Sequence, residues 1–88
     1  MGTPRIEMYT TDWCPYCARA RALLEAKGVA FTEIDVDAVP EARREMAARG
    51  GGGTVPQIFI GGKAVGGCDE LHELDAAGRL DPLLRNGA

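Results

Sequence analysis

The chain is 88 residues long, and its composition already narrows the classes of protein it can be. Hydrophobic residues make up 45% and charged residues 26% of it, which is typical of a soluble globular domain and excludes a disordered chain. The length predicts one domain spanning residues 1–88. A net charge of −3 excludes the strongly basic surface of a nucleic-acid-binding protein.

Three cysteines, Cys14, Cys17 and Cys68, indicate the cellular compartment. An odd and low count argues against a secreted disulfide scaffold, and one possible pair with one leftover thiol suits a reducing compartment. The first twelve residues contain no apolar segment of a secretory signal, and the longest uncharged run, 50–62, is too rich in glycine for a membrane helix. We therefore expect a cytoplasmic protein with no membrane partner.

The elements are predicted in the order β α β α β β α, followed by a last helical turn. Strands are expected at 5–9, 29–36, 58–60 and 63–65, and helices at 15–27, 40–49, 68–77 and 81–84. A helix between the first two strands predicts a parallel unit, whereas Gly61-Gly62 predicts a two-residue turn in an antiparallel hairpin. The pattern indicates an α/β fold with a small mixed sheet and helices on its faces.

Cys14-Pro15-Tyr16-Cys17 follows the first strand and opens the first helix. A thiol is a good nucleophile only when ionised, and the N-terminus of a helix favours an anion. Cys14, at the very start, is therefore the expected exposed nucleophile. Cys17 lies on the same helical face nearly one turn deeper, where it can attack a mixed disulfide formed on Cys14. The motif predicts thiol–disulfide exchange.

A structural zinc site is the alternative for these cysteines. Cys68 and His72 form a Cys-x-x-x-His pair that would complete a four-ligand set with Cys14 and Cys17. The position of the first pair at a strand-to-helix junction favours redox chemistry instead, so no metal is expected. Trp13, beside Cys14, is interpreted as a packing residue that could also shape access to the thiol.

Two further segments carry features of a binding site. At Val55-Pro56, before the third strand, a cis bond would turn the Val55 backbone N–H and C=O toward a peptide-like ligand; the alternative is an ordinary turn proline. At 66–70, glycines allow close approach, helix N–H groups could hold a carboxylate, and Asp69 and Glu70 could accept from an ammonium group. Taken alone, the second segment favours a simpler role in which Asp69 caps the helix.

Together these segments resemble the glutaredoxins, in particular the small bacterial dithiol type called glutaredoxin 3. The matching segments follow in order over nearly the whole chain: Cys14-Pro15-Tyr16-Cys17, 54–60, Gly66-Gly67-Cys68-Asp69 and 80–84. The resemblance implies a thioredoxin-like fold, with a four-stranded mixed sheet of order 2-1-3-4 and helices on both faces. It also implies a monomeric enzyme of redox homeostasis that uses glutathione to reduce glutathione mixed disulfides and protein disulfides.

The resemblance also implies roles for individual residues. Cys14 would be the nucleophile and Cys17 the resolving thiol, with Cys68 dispensable for the redox cycle. Val55 would pair with the cysteinyl backbone of glutathione, and Asp69 would take the ammonium of its γ-glutamyl group. The implied glutathione contacts are, in chain order, Tyr16, Thr54, Val55, cis Pro56, Gly67, Cys68 and Asp69. Glutathionylated or disulfide-containing proteins would be the partners.

The chain departs from the glutaredoxin pattern in its charges. Thr11 stands where a lysine is usual, and Gly52 and Gly53 stand where one or two arginines are common. Each lost surface charge would be worth less than about 1 kcal/mol, so we expect weaker glutathione capture with activity retained. Arg49 could compensate from the end of the second helix, or could only complement its dipole. Glu70 replaces a common second aspartate.

Two alternatives remain open within the same resemblance. A related electron donor could be reduced by thioredoxin reductase, although a glutathione pocket at 66–69 argues against it. Some glutaredoxins instead hold an iron–sulfur cluster between two subunits, a function that a second cysteine and an intervening proline disfavour.

Overall fold

The structure is a computed structural model that describes residues 4–86, so the two ends of the predicted domain, 1–3 and 87–88, lie outside the described residues. Its elements, in chain order, are β1 Ile6–Thr10, α1 Pro15–Ala26, β2 Thr32–Asp35, α2 Ala42–Ala48, β3 Gln57–Ile60, β4 Lys63–Gly66, α3 Cys68–Ala76 and α4 Leu80–Asn86. The strands form one sheet of order β2-β1-β3-β4. β1 is parallel to β2, and the other two pairings are antiparallel. The predicted topology is confirmed.

Helices cover both faces of the sheet, as predicted. All five residues of β1 are buried, because a central strand between two helical layers has no solvent face. One face packs in a core with α1, α3 and α4 that contains Ile6, Met8, Ala20, Leu24, Ile58, Ile60, Cys68, Leu71, Leu80 and Leu84. The other face packs with α2 in a smaller core that contains Tyr9, Val36, Ala42, Met46 and Phe59.

Several boundaries differ from the predicted ones. β2 begins at Thr32 rather than at 29, because Val29 and Phe31 pack against the larger core before strand pairing starts. α2 begins at Ala42 rather than at 40. α4 is a helix of seven residues rather than a single turn, since buried Leu80 and Leu84 anchor it to the core.

The hairpin between β3 and β4 turns at Gly61-Gly62, as predicted. The φ angles of these residues are +62° and +83°, and a two-residue turn of this kind requires positive φ at both central positions. The turn fixes the pairing of Ile60 with Lys63. No helix within residues 4–86 has both the length and the apolar character needed to cross a membrane.

Candidate active site

Cys14 is the N-cap residue of α1. Its Sγ accepts a hydrogen bond from the backbone N–H of Cys17 at 3.1 Å, and lies 4.0 Å from the carbonyl oxygen of Val55. Pro15 occupies the first turn, where the N–H that proline lacks would have no helical partner. The sulfur therefore sits at the positive end of the helix dipole beside a backbone donor, an arrangement that stabilises a thiolate.

Cys17 lies one turn deeper and is fully buried. Burial, followed by the hydrogen bond to Cys14, raises the pKa of the Cys17 thiol to about 12. Cys17 therefore remains a thiol at neutral pH, whereas Cys14 is partly accessible to solvent. This is the arrangement that the predicted nucleophile and resolving thiol require.

A groove of about 190 Å³ runs along the Val55 side of the active site. We call it the cis-proline groove; it is lined by Tyr16, Thr54, Val55, Pro56, Gln57, Gly67, Cys68, Asp69 and Glu70. The structure thus brings together every residue predicted to contact glutathione. Gln57 and Glu70 line the groove as well. Gln57 was not predicted there, and Glu70 was considered only as an acceptor for an ammonium group.

The Val55 segment forms one wall of this groove. The Val55–Pro56 peptide bond is cis, as predicted. Val55 forms no backbone–backbone hydrogen bond with any of residues 4–86, so its N–H and C=O are available to an extended ligand. Thr54 Oγ1 accepts a hydrogen bond from Gln57 Nε2 at 3.3 Å, which ties the loop to the start of β3. Gln57 directly follows the proline in the sequence, and this position could have indicated the contact.

The opposite wall is the N-terminus of α3. Its N-cap residue is Gly67, so the capping role considered for Asp69 was wrong. Glu70 Oε1 accepts from the Gly67 N–H at 2.6 Å, which meets the need for a cap. The exposed Asp69 carboxylate and the first-turn N–H groups of Cys68 and Asp69 are thereby left for a ligand.

Cys68 lies in the groove wall with little accessible surface. Burial raises the pKa of its thiol, and His72 Nδ1 lies 2.9 Å from the Cys68 carbonyl oxygen and 3.5 Å from its Sγ. Within the described part of the chain, no three His, Cys, Asp or Glu side chains are grouped to hold a metal ion. The set of four ligands considered for zinc is therefore not assembled.

Trp13 is 86% exposed, so its interpretation as a packing residue was wrong. It borders a second groove of about 250 Å³. We call this the Trp13 groove; it is lined by Thr11, Asp12, Trp13, Cys14, Pro15, Ala18 and Arg21. Since Cys14 also touches Val55, the nucleophile lies between the two grooves.

Arg49 does not add charge to either groove. Its Nη2 donates to Glu7 Oε1 at 2.6 Å and its Nη1 to the Tyr9 hydroxyl at 2.9 Å, while the guanidinium lies 4.2 Å from the centre of the Phe59 ring. The Arg49 hydrogen bond lowers the pKa of Glu7. The compensation considered for Arg49 was therefore wrong, because its charge is neutralised beneath α2.

The glutaredoxin family model matches residues 6–65 of the chain. A glutaredoxin of Pseudomonas aeruginosa is 58% identical over 81 residues, covering 92% of this chain and 96% of that protein. Glutaredoxin 3 of Escherichia coli K12 is 55% identical over 80 residues, covering 91% and 96% respectively.

Solved structures of glutaredoxins agree with this relationship. The solution structure of a glutaredoxin from Brucella melitensis has a TM-score of 0.86 and 52% identity, covering all of this chain and 96% of that one. The crystal structure of a buckwheat glutaredoxin–glutathione complex has a TM-score of 0.84 and 31% identity, covering 92% and 76%. Sequence, fold and the Cys14–Cys17 pair lead to one conclusion: the chain belongs to the glutaredoxin family of thiol–disulfide oxidoreductases.

Proposed function

We propose that the protein uses glutathione to reduce glutathione mixed disulfides and protein disulfides. The observation that supports this proposal is the cis-proline groove, which is lined by Val55 and the α3 N-terminus and whose Val55 carbonyl oxygen lies 4.0 Å from the Cys14 sulfur. The buckwheat relative is described in complex with glutathione, which supports the same ligand here.

Glutathione is an extended tripeptide with a carboxylate at each end and one ammonium group. In the proposed complex its cysteinyl backbone pairs with Val55, as an added strand pairs with a sheet edge. Its γ-glutamyl carboxylate accepts from the N–H groups of Cys68 and Asp69, and its ammonium group meets the Asp69 carboxylate. Tyr16, 55% exposed at the groove rim, lies beside the tripeptide.

The reduction of a glutathione mixed disulfide needs Cys14 alone. The Cys14 thiolate attacks the glutathione sulfur, the S–S bond of the substrate breaks, and the released thiolate takes a proton from water. A second glutathione thiolate then attacks the glutathione sulfur bound to Cys14, which yields glutathione disulfide and regenerates the Cys14 thiolate. The net reaction consumes one free glutathione, because the mixed disulfide and glutathione become a protein thiol and glutathione disulfide.

The reduction of a protein disulfide also uses Cys17. Cys14 attacks one sulfur of the substrate disulfide, which forms a mixed disulfide and releases the other sulfur as a thiolate. Cys17 then loses its proton to that leaving thiolate or to water and attacks Cys14, so the substrate leaves as a dithiol. Two glutathione molecules reduce the resulting Cys14–Cys17 disulfide.

Cysteine variants test the proposal directly. We expect Cys14→Ser to abolish turnover of a glutathione mixed disulfide and Cys17→Ser to retain it, because only Cys14 reaches the substrate sulfur. Steady-state assays coupled to glutathione reductase measure both, and thermal unfolding shows that each variant is folded. Equal loss in the two variants, or full activity without Cys14, would contradict the roles.

The reductant is tested separately. The proposal expects glutathione with glutathione reductase to sustain turnover and thioredoxin reductase not to sustain it. Reduction by thioredoxin reductase alone would instead support the alternative electron donor.

We also propose that the enzyme works in the cytoplasm, which the odd third thiol supports. Thiol trapping of Cys68 in intact cells would show whether this thiol is kept reduced.

A further inference from the structure

A disulfide substrate has to bring a sulfur atom to Cys14 from a side that glutathione does not fill. If glutathione occupies the cis-proline groove, as the proposed function requires, the Trp13 groove is the other open approach, since Cys14 lines it. The polypeptide that carries the substrate sulfur is therefore the natural occupant of this second groove. Its surface indicates what kind of polypeptide fits.

Trp13 gives this groove an unusual apolar surface. Only three large hydrophobic side chains within residues 4–86 are exposed: Trp13 at 86%, Tyr16 at 55% and Val39 at 42%. An indole left in water next to a reactive sulfur offers a large contact area to a partner, and tryptophan is enriched among the residues that dominate binding at interfaces. The ring also attracts cations to its face.

The charge beside Trp13 is negative. Asp12 lines the same groove and is exposed. Interaction with Asp35 at the end of β2, together with the negative charge of Asp37, raises the pKa of Asp12. The Asp35 carboxylate accepts hydrogen bonds from the backbone N–H groups of Asp37 and Ala38, whereas Asp12 joins none of the ion pairs formed within residues 4–86.

The arginine in the groove and the arginine beside Asp37 already have partners. Arg21 lines the groove, but its guanidinium donates twice to the Glu33 carboxylate, at 2.6 Å and 2.8 Å. Arg43 lies 3.3 Å from Asp37. An external cation in the groove would therefore meet an Asp12 carboxylate that has no ion-pair partner within residues 4–86, next to the exposed indole.

We propose that the Trp13 groove docks the polypeptide of a disulfide substrate that carries a lysine or arginine beside its reactive cysteine. Asp12 and Trp13 are only two residues and one residue away from Cys14, or at most about 8 Å of chain. A long basic side chain one or two positions from the substrate cysteine spans this distance. The groove then selects substrates by the charge that flanks their sulfur.

A binding measurement tests the docking without any redox chemistry. Trp13 is the only tryptophan of the chain, so its fluorescence reports on the groove directly. Two peptides with serine in place of cysteine are titrated, one with flanking lysines and one with flanking glutamates. The lysine peptide should change the emission at lower concentration than the glutamate peptide, and salt should weaken its binding. Equal binding of the two peptides, or a response to free glutathione alone, would overturn the proposal.

A kinetic measurement then tests whether the groove selects substrates by the charge beside their cysteine. The same two peptides, now with a glutathionylated cysteine, are compared by kcat/KM in wild type, Trp13→Ala and Asp12→Asn. We expect the wild type to prefer the lysine peptide about tenfold, and each substitution to reduce that ratio about threefold. Glu45→Gln, which removes an exposed acid of α2 that lines neither groove, should keep the wild-type ratio.

The two measurements separate this inference from the proposed function. A wild-type ratio near one, or a ratio unchanged by both groove substitutions, overturns the docking proposal even if both peptides are reduced. If neither peptide is reduced with glutathione, the proposed function fails, and the fluorescence titration still decides whether the groove prefers a basic segment.

Discussion

Beneath α2, Arg49 is fully engaged: its guanidinium lies 2.6 Å from the Glu7 carboxylate, and its Nη1 lies 2.9 Å from the Tyr9 hydroxyl. Two acidic side chains in the grooves around Cys14 are arranged differently. Asp12 and Asp69 are exposed and join no ion pair within residues 4–86. The comparison teaches that this small protein pairs its partly buried charges on one side and leaves two carboxylates without a cation on the other.

Replacement of Arg49 should destabilise the packing beneath α2. Arg49→Ala leaves the Glu7 carboxylate, with a side chain only 11% exposed, with the exposed Arg5 at 3.9 Å as its only remaining ion-pair partner within residues 4–86. We expect a loss of about 3 kcal/mol in the free energy of unfolding, measured by urea denaturation. Arg44→Ala is the matched control, because this arginine of the same helix is 84% exposed and its pairing with Glu41 at 3.8 Å should matter little. Similar losses in the two variants would contradict the comparison.

Cys17 sharpens the comparison. Burial keeps the Cys17 thiol neutral, whereas the Glu7 carboxylate is charged and paired with Arg49. The pKa of Cys17 is raised to about 12 in the folded state, so ionisation favours the unfolded chain. The contribution of this thiol to stability is therefore complete below the unfolded pKa of about 8.5 and is lost as pH rises toward 12. We expect wild type to lose about 2 kcal/mol more than Cys17→Ala between pH 8 and about pH 10.5. Parallel unfolding curves for the two proteins over this range would show that the thiol is not buried as described.

Addition of a positive charge tests the side proposed to bind glutathione, with the smallest expected effect. Gly53 has ordinary backbone angles and open space around a Cβ, so Gly53→Arg should fold normally. We expect a KM for the glutathione mixed disulfide that is lower by up to about fivefold, the effect of one surface charge. Gly52 has a φ of +74°, so Gly52→Arg should instead cost about 1–2 kcal/mol of stability. An unchanged KM in Gly53→Arg would show that a cation at this position does not help glutathione bind.

Much of the fold could be predicted because the local signals agree with one another. Glycines at 61 and 62 specify a hairpin turn, a proline after Cys14 marks a helix start, and apolar residues recur with the period of each element. The three segments of the site could also be predicted, since each lies next to the end of a helix or strand. That the three segments meet in one groove could be predicted only from the resemblance to a family.

The remaining features depend on contacts between side chains in the folded protein, which a local sequence pattern does not reveal. Arg49 and Glu7 are 42 residues apart, and only the crossing of α2 over the sheet brings them together. Trp13 was interpreted as a packing residue because tryptophan is usually largely buried, yet in the loop between β1 and α1 it is 86% exposed. Glu70 was a signal that could have been used, because glutamate three residues after Gly67 is half of a capping box.

The two cysteines of the active site have different surroundings: Cys14 caps α1 and is partly accessible to solvent, whereas Cys17 is fully buried one turn deeper. The backbone N–H of Cys17 donates to the Cys14 sulfur at 3.1 Å, so the start of the helix itself holds the two residues together. An incoming thiol therefore meets Cys14 first, and a Cys14–Cys17 disulfide would be opened from the Cys14 side.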